Sequence, residues 1–244
     1  IIVRGICWST SPNPTILNNI INAGNAGGAF TASLSPLARN TTYYYRAYAT
    51  NNSGTAYGAE ISFTTPSLAI GDTLQGGKVL ALFIPGQPGY VAGQEHGVIV
   101  SFTDEVPAAD SLIRWFNGTA GLNMRTPWNG SGNSRTIVGS ARLNMDDIIF
   151  RQGAGTYAAS YCDNLVKDGY SDWLLPTLDE VQLMYRRNGL IGNFVTTSST
   201  PTGYWTSTWF TNLNNAAYLI RFQDGLQLTG TTSLRLRIRA VRYF

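Results

Sequence analysis

At 244 residues, with 43% hydrophobic and only 13% charged residues, the chain is globular and long enough for two ordinary domains. Its 26 Gly and 13 Tyr describe a loop-rich, weakly charged surface that suits an extracellular protein better than a cytosolic enzyme. A net charge of +3 is too small to argue for nucleic acid, and no apolar run reaches the roughly 20 residues of a membrane span. Ile1 does not open a signal peptide, so any export signal or anchor is expected outside this segment. From residue 181 onward the basic residues Arg186, Arg187, Arg221, Arg235, Arg237, Arg239 and Arg242 face a single acid, Asp224, whereas acids outnumber bases between 66 and 180. The C-terminal quarter is therefore a positive pole. Cys7 and Cys162 stand too far apart for a disulfide framework and are expected to be buried apolar residues.

The first strong strand pattern is Thr42 to Asn51, where Tyr43, Tyr45, Ala47 and Ala49 alternate on one face. Asn51-Asn52-Ser53-Gly54 then turns the chain into a second run, Ala59 to Thr64, giving a β-hairpin. Leu37, Thr41 and Tyr43 have the spacing of a tyrosine corner. The stretch from RGICWSTSPNPT through NTTYYYRAYATNNSGTAYGAEISFTT resembles a fibronectin type III-like module of the kind found in tandem on secreted bacterial proteins. That resemblance implies a β-sandwich over residues 1–66 serving as a spacer. It also implies two strands ahead of the one carrying Ile1 to Trp8, so this copy reads as truncated at its start.

Pro66-Ser67-Leu68-Ala69 breaks the pattern and Gly71-Asp72 restarts it, which places a second domain at 70–244. Lys78 to Ile84 and Gly97 to Phe102 read as paired strands around the turn Pro85 to Gly89. Thr103 to Ile149 shows no clear period and is expected to be irregular. A helix is expected over about Thr156 to Lys167, ended by Asp168-Gly169. Another starts at Thr177, with Glu180 completing a capping box and Leu178, Val181, Met184 and Tyr185 forming the apolar stripe. Strands return at Ala216 to Gln223, Leu226 to Thr229 and Leu234 to Phe244, the first two joined by Asp224-Gly225. Two helices in a strand-rich domain read as α+β.

The blocks GDTLQGGKV, PGYVAGQEHGVIVS, CDNLVKDGYSDWLLPTLDEVQLMY, GYWTSTWF, the F-x-D-G turn and RIRAVRYF resemble, in that order, the bacterial family named for the C-terminal domain of the Legionella collagen-like adhesin. The resemblance implies a C-type-lectin-like fold over nearly all of 70–244. It further implies a non-catalytic binding domain at a bacterial cell surface or phage virion surface, facing a cell-surface protein or glycan. Such domains also resemble the variable proteins of diversity-generating retroelements, in which a lectin-like scaffold carries a hypermutated C-terminal stretch. Those proteins are often Asn-rich where this chain holds a mixed set of residues.

Period-2 geometry puts Tyr218, Ile220 and Phe222 on one face of the penultimate hairpin and Leu219, Arg221 and Gln223 on the other. The first set reads as core. The second, extended by Leu226, Leu228, Thr229, Thr231, Ser233 and Arg235 and by the loop residues Trp209, Phe210, Asn212, Leu213 and Asn214, reads as a ligand-binding face, since aromatic residues and Arg dominate interface hot spots. The alternative is that the leucines form a second core layer. Arg237, Arg239 and Arg242 lie in the scaffold block and are expected to be structural, leaving Arg221 and Arg235 as ligand contacts.

No cofactor or metal site is expected. The tripeptides by which C-type lectins hold sugar through calcium are missing, and Asn144-Met145-Asp146-Asp147 alone is too few ligands for calcium. His96 is the single histidine, which rules out a zinc set and favours a structural role at a strand start. An oxidase resting on a cysteine pair lacks its second cysteine. A glycosidase would need two converging carboxylates, and Asp172 with Asp179 or Glu180 is a poor candidate because Glu180 is a cap. The chain reads as a non-enzyme.

Overall fold

The computed structural model describes residues 1–105, 112–118, 135–197, 203–210 and 215–244. The chain divides into two compact units, Ile1–Leu68 and Ala69–Phe244. Its strand ladders are antiparallel and its helices few and short.

The first unit holds β1 (Val3–Ser9), β2 (Asn19–Asn22), β3 (Thr42–Asn51), β4 (Gly54–Tyr57) and β5 (Ile61–Thr64). Their order is β2-β1-β3-β4, with β5 also pairing β3. β4 lies along Tyr48–Asn51 and β5 along Thr42–Tyr45, so the return arm of the expected hairpin is interrupted. The interruption falls at Gly58, whose amide donates to the Ala47 carbonyl at 2.8 Å and whose carbonyl accepts from Arg46 Nε at 3.0 Å. The Tyr43 hydroxyl accepts from the Ala38 amide at 2.9 Å, the tie the Leu37/Thr41/Tyr43 spacing predicts. Cys7 is fully buried, and a side chain on Gly5 opposite Tyr48 would run into the Ile21 carbonyl, which keeps β1 and β2 close.

The second unit begins with β6 (Thr73–Leu74), β7 (Gly77–Leu82), β8 (Gly97–Ser101) and β9 (Ile113–Arg114). Four helices follow among the described residues: α1 (Ala141–Gln152), α2 (Ala158–Asp163), α3 (Leu178–Arg186) and α4 (Asn188–Ile191). β10 (Gly203–Trp209), β11 (Ala216–Arg221), β12 (Gln227–Thr231), β13 (Arg235–Leu236) and β14 (Val241–Tyr243) close the chain. They form a four-stranded sheet β14-β8-β7-β6, a three-stranded sheet β10-β11-β12 and a ribbon β13-β9.

Three expectations are corrected here. α1 occupies sequence expected to be irregular: its buried stripe is Ala141, Asn144, Met145, Ile148 and Gln152, a helical spacing disguised by two polar members. Asn144 is buried because its side chain accepts from the Arg135 amide at 3.0 Å and donates to the Arg135 carbonyl at 2.7 Å. α2 is shorter than expected, stopping at Asp163 where Asn164 Nδ2 donates to the Ser160 carbonyl at 2.7 Å. The final strand is split, since β13 pairs with β9 while β14 joins β8 in a different sheet.

α3 is capped as expected: Thr177 Oγ1 accepts from the Glu180 amide at 3.3 Å, and the Glu180 carboxylate accepts from the Thr177 amide at 2.8 Å. Glu180 also accepts from the Gly139 amide and the Tyr243 hydroxyl, both at 2.9 Å. The core lies between the sheets and helices and includes Leu80, Val98, Trp115, Met145, Trp173, Trp205 and Ile220.

Candidate binding surface

The C-terminal sheet is held from both sides. On one face Phe222 meets Tyr204 at 4.4 Å, Phe194 at 4.7 Å and, edge-on, Tyr185 of α3 at 5.6 Å. On the other, Trp205 stands opposite Leu219, and Trp205 Nε1 donates to the Ile113 carbonyl at 3.0 Å while Trp115 Nε1 donates to the Thr206 carbonyl at 2.8 Å. The buried hydroxyls of the Thr206-Ser207-Thr208 stretch of β10 are used as well. Thr206 Oγ1 donates to the Tyr218 carbonyl at 2.9 Å, and Thr208 Oγ1 accepts from the Leu178 amide at 3.0 Å. Every residue of β10 is buried, as a strand packed on both faces must be.

This double packing corrects two expectations. Leu219 is only 6% exposed, because its neighbours on that face are Trp205, Gly203 and Gly230; a Cβ on Gly230 would sit 2.8 Å from Leu219 Cδ2. It belongs to the second core layer. Trp209, expected in a loop, ends β10 and is buried. Both support the surface from below rather than forming it. Ile220 and Phe222 are core as expected, and Tyr218 is half-buried with its ring edge-on to Phe210 at 5.5 Å.

The outer edge differs. In β12 only Gly230 is buried; Gln227, Leu228, Thr229 and Thr231 are exposed, as are Gln223, Leu226, Ser233, Leu234 and Arg235 beside it. Leu226, Leu228 and Leu234 are 50%, 37% and 47% exposed. Phe210 is half-buried, and its amide donates to the Ala216 carbonyl at 2.9 Å. Asn212, Leu213 and Asn214 lie outside the described residues. Thus, of the expected residues, Gln223, Leu226, Leu228, Thr229, Thr231, Ser233 and Arg235 are exposed along β12 and its turns, while Leu219 and Trp209 are buried.

The arginines separate cleanly. Arg239 is 1% exposed; its Nε meets Asp104 at 2.9 Å, its Nη1 donates to the Ser101 carbonyl at 3.0 Å, and its guanidinium lies 4.2 Å over the Phe194 ring. Arg242 grips Asp172 through two hydrogen bonds of 2.8 Å and lies 3.9 Å over Tyr170. The Arg242 hydrogen bonds hold the Asp172 carboxyl below the usual range. Arg237 reaches Asp104 at 3.4 Å. All three are structural, as expected. Arg221 forms a fork with Asp224, Nε to Oδ1 at 2.9 Å and Nη2 to Oδ2, so the turn supplies its own counter-charge and holds the Asp224 carboxyl low. Arg235 is exposed and stands directly across from Arg114 in the β13–β9 ribbon.

Gln227, Leu234 and Arg114 are surface residues that sequence reasoning missed. Leu234 was absorbed into an assumed continuous final strand. Arg114 lies in a stretch without periodicity, so nothing in the sequence aligned it with Arg235.

Burial pushes the Cys162 thiol up and disfavours a thiolate. Burial likewise raises the Glu180 carboxyl, and Asp146 and Asp147 pair with Arg142 and Arg151 on α1. His96 Nδ1 lies 2.8 Å from the Phe244 carbonyl and Nε2 2.9 Å from Gln94 Oε1, which ties the start of β8 to the last residue. Among the described residues no group of three His, Cys, Asp or Glu is placed to hold a metal ion. No family model matches the chain, and no curated protein matches it.

Proposed function

We propose that the second unit is a C-type-lectin-like binding domain of a surface receptor-binding protein, and that the exposed edge formed by β12 and its flanking turns makes the contact. One observation carries this reading: Leu226, Leu228 and Leu234 stand exposed on β12 and its flanking turns, while every residue of β10 in the same sheet is buried. Scattered surface leucines need no explanation, but a cluster beside an open strand edge marks an interaction site. The polar residues around it (Gln223, Gln227, Thr229, Thr231 and Ser233) make hydrogen-bonding rim groups. Because β12 carries little of the core, its side chains are free to vary without cost to the fold. A diversified face of the kind found in retroelement variable proteins needs that separation. The first unit, in this reading, is a fibronectin III-like spacer, and the protein is a non-enzyme displayed outside the cell or on a virion.

Sequencing the 3′ end of the gene across its source population tests the proposal. Substitutions concentrated in the codons for residues 210–235, sparing Trp205, Leu219 and Gly230 and leaving RIRAVRYF constant, support it. A uniform sequence, or variation spread evenly over buried and exposed positions, overturns it.

The second reading, a fixed adhesin for sulfated or acidic glycans, is favoured by the cross-strand placement of Arg114 and Arg235. Both side chains are exposed there, and planar guanidiniums suit the oxygens of an anionic group. Heparin binding that falls steeply with salt and is lost in Arg114→Ser and Arg235→Ser supports this reading, whereas salt-independent or absent binding excludes it. Arg221, already paired with Asp224, contributes less.

A further inference from the structure

β12 ends the sheet β10-β11-β12, and among the described residues no strand pairs with its outer side. The register with β11 decides where its backbone groups point. The Arg221 amide donates to the Leu226 carbonyl at 2.9 Å and the Thr232 amide to the Asn215 carbonyl at 2.8 Å, with the pairs Leu219↔Leu228 and Ala217↔Gly230 between them at the same two-residue spacing. Residues 226, 228, 230 and 232 therefore turn their amides and carbonyls towards β11, and the alternation of an antiparallel ladder turns those of Gln227, Thr229 and Thr231 outward. The Thr231 carbonyl accepts from the Leu234 amide at 2.9 Å. The Thr231 amide and both backbone groups of Gln227 and Thr229 have no hydrogen-bond partner among the described residues.

This edge is regular, anchored and unguarded. Its ladder to β11 runs without a register shift, unlike that between β10 and β11. Gln182 Nε2 of α3 donates to Gln227 Oε1 at 2.9 Å and ties one end down. Open edges are normally blunted by charge, proline or a bulge; Gln-Leu-Thr-Gly-Thr has none of these. Its two faces differ in character. Leu228 stands beside Leu219, and Leu234 Cδ1 lies 3.2 Å from where a Cβ on Gly230 would sit. Gln227, Thr229 and Thr231 present amide and hydroxyl groups on the opposite face.

We infer that β12 is a strand-addition site whose occupant is an extended segment of the partner protein, with apolar side chains at alternate positions. The inference rests on the reading of β12 and its turns as the contact surface, and it names what that surface holds. Outward donors and acceptors repeating every second residue match the backbone of another strand, whereas a helix has spent its backbone groups internally. Main-chain bonds supply the grip and alternate side chains the choice of partner. Apolar residues of the incoming segment lie along Leu228 and Leu234, and polar ones meet Gln227, Thr229 and Thr231. Backbone groups are the same whatever side chains β12 carries, so the grip survives substitution of its exposed residues, as a varying surface requires. A second copy fits less well, because pairing two copies along the full length of β12 sets Leu228 against Gly230, which has no side chain to meet it. An edge of five residues is about 17 Å long. One strand on it falls well short of the ~800 Å² per partner of a standard interface, so the segment alone binds with micromolar or weaker affinity.

A displayed library of random linear peptides, selected on the 244-residue chain, supplies the probe. Recovered peptides are expected to alternate apolar and polar residues. The tightest is then synthesised with single N-methyl groups stepped along its backbone. Methylation of the alternate amides that face β12 should weaken binding at least about tenfold, and methylation of the others should leave it unchanged. On binding, the amides of Gln227, Thr229 and Thr231 should gain hydrogen-exchange protection, while those of Leu228 and Gly230, already bonded to β11, stay protected and report an intact sheet. Thr229→Pro removes one outward amide and no bond to β11, so it should weaken binding as methylation does, and Thr229→Val should not. Peptides weakened by Leu228→Ser and Leu234→Ser, but with no alternation on methylation and no new protection, overturn strand addition while leaving the contact surface standing. Peptides indifferent to all of these substitutions count against both. Recovery of no peptide, or concentration-dependent self-association that protects the same three amides, also overturns the inference, the latter by giving the edge to a second copy.

Discussion

β10 and β12 flank the same strand, β11, in one three-stranded sheet, yet every residue of β10 is buried and four of the five in β12 are exposed. Strand pairing alone therefore does not decide how much a residue matters to the fold; the layers above and below it do. β10 has α1 and α3 against it and the Ile113–Trp115 segment at its other face. β12 lies beyond that cover. The same hydrophobic residue type plays two roles as a result: Leu219 fills the core while Leu228, its direct cross-strand partner, faces solvent.

The strongest way to break that contrast is to attack the inner half. Trp205→Ala removes a fully buried indole and its bond to Ile113, with an expected loss of about 3–5 kcal/mol, measured by denaturant unfolding. Arg239→Ala orphans the buried Ser101 carbonyl and one oxygen of Asp104; breaking a buried pair from one side costs about 3–5 kcal/mol. A loss below about 1 kcal/mol for Trp205→Ala would show that β10 is not the fixed half.

Smaller effects sharpen the boundary. Gly230→Val drives a side chain into Leu219 and Trp205 and should cost about 1–3 kcal/mol, whereas Thr229→Val next to it should cost nothing measurable. Glu180→Gln leaves one of three donors, from Thr177, Gly139 and Tyr243, without its acceptor, an expected loss of about 1–3 kcal/mol. The wild-type carboxyl also predicts a pH dependence. Because burial raises it in the folded chain, the folded state binds this proton more tightly than the unfolded state. Its stabilisation is full below the ordinary carboxylate range and declines as pH rises through the folded value. Asp172, held low by Arg242, acts oppositely, losing its stabilisation as pH falls. Thermal unfolding across pH should show the alkaline-side decline flattened in Glu180→Gln and the acid-side loss flattened in Asp172→Asn.

Much of the scaffold was legible because local chemistry and packing agree there. Thr177 and Glu180 announce α3, Asp224-Gly225 announces the turn between β11 and β12, and Lys78 to Leu82 alternates too little to be anything but a buried strand. Other parts depended on tertiary partners. Asn144 sits in the buried stripe of α1 because the Arg135 backbone satisfies it, and Gln152 joins it with its Oε1 accepting from the Asn117 amide, so the helix does not read as amphipathic. The face containing Leu219 read as surface because alternation shows two faces but not that both are covered. Arg114 met Arg235 across some 120 residues of sequence, a proximity no local pattern encodes.

The smallest expected effect on stability belongs to the edge itself. Leu226→Ser, Leu228→Ser and Leu234→Ser should each change stability by no more than about 0.5 kcal/mol, as substitutions away from buried features do. The most direct measurement of the division between fixed scaffold and variable edge is a saturation scan of residues 203–244, read by protease resistance of the displayed protein. We expect Gln223, Gln227, Leu228, Thr229, Thr231, Ser233 and Leu234 to accept polar and apolar residues alike, and Tyr204, Trp205, Leu219, Ile220, Phe222 and Arg239 to accept almost none. Equal intolerance in the two sets would make β12 part of the core and contradict the account.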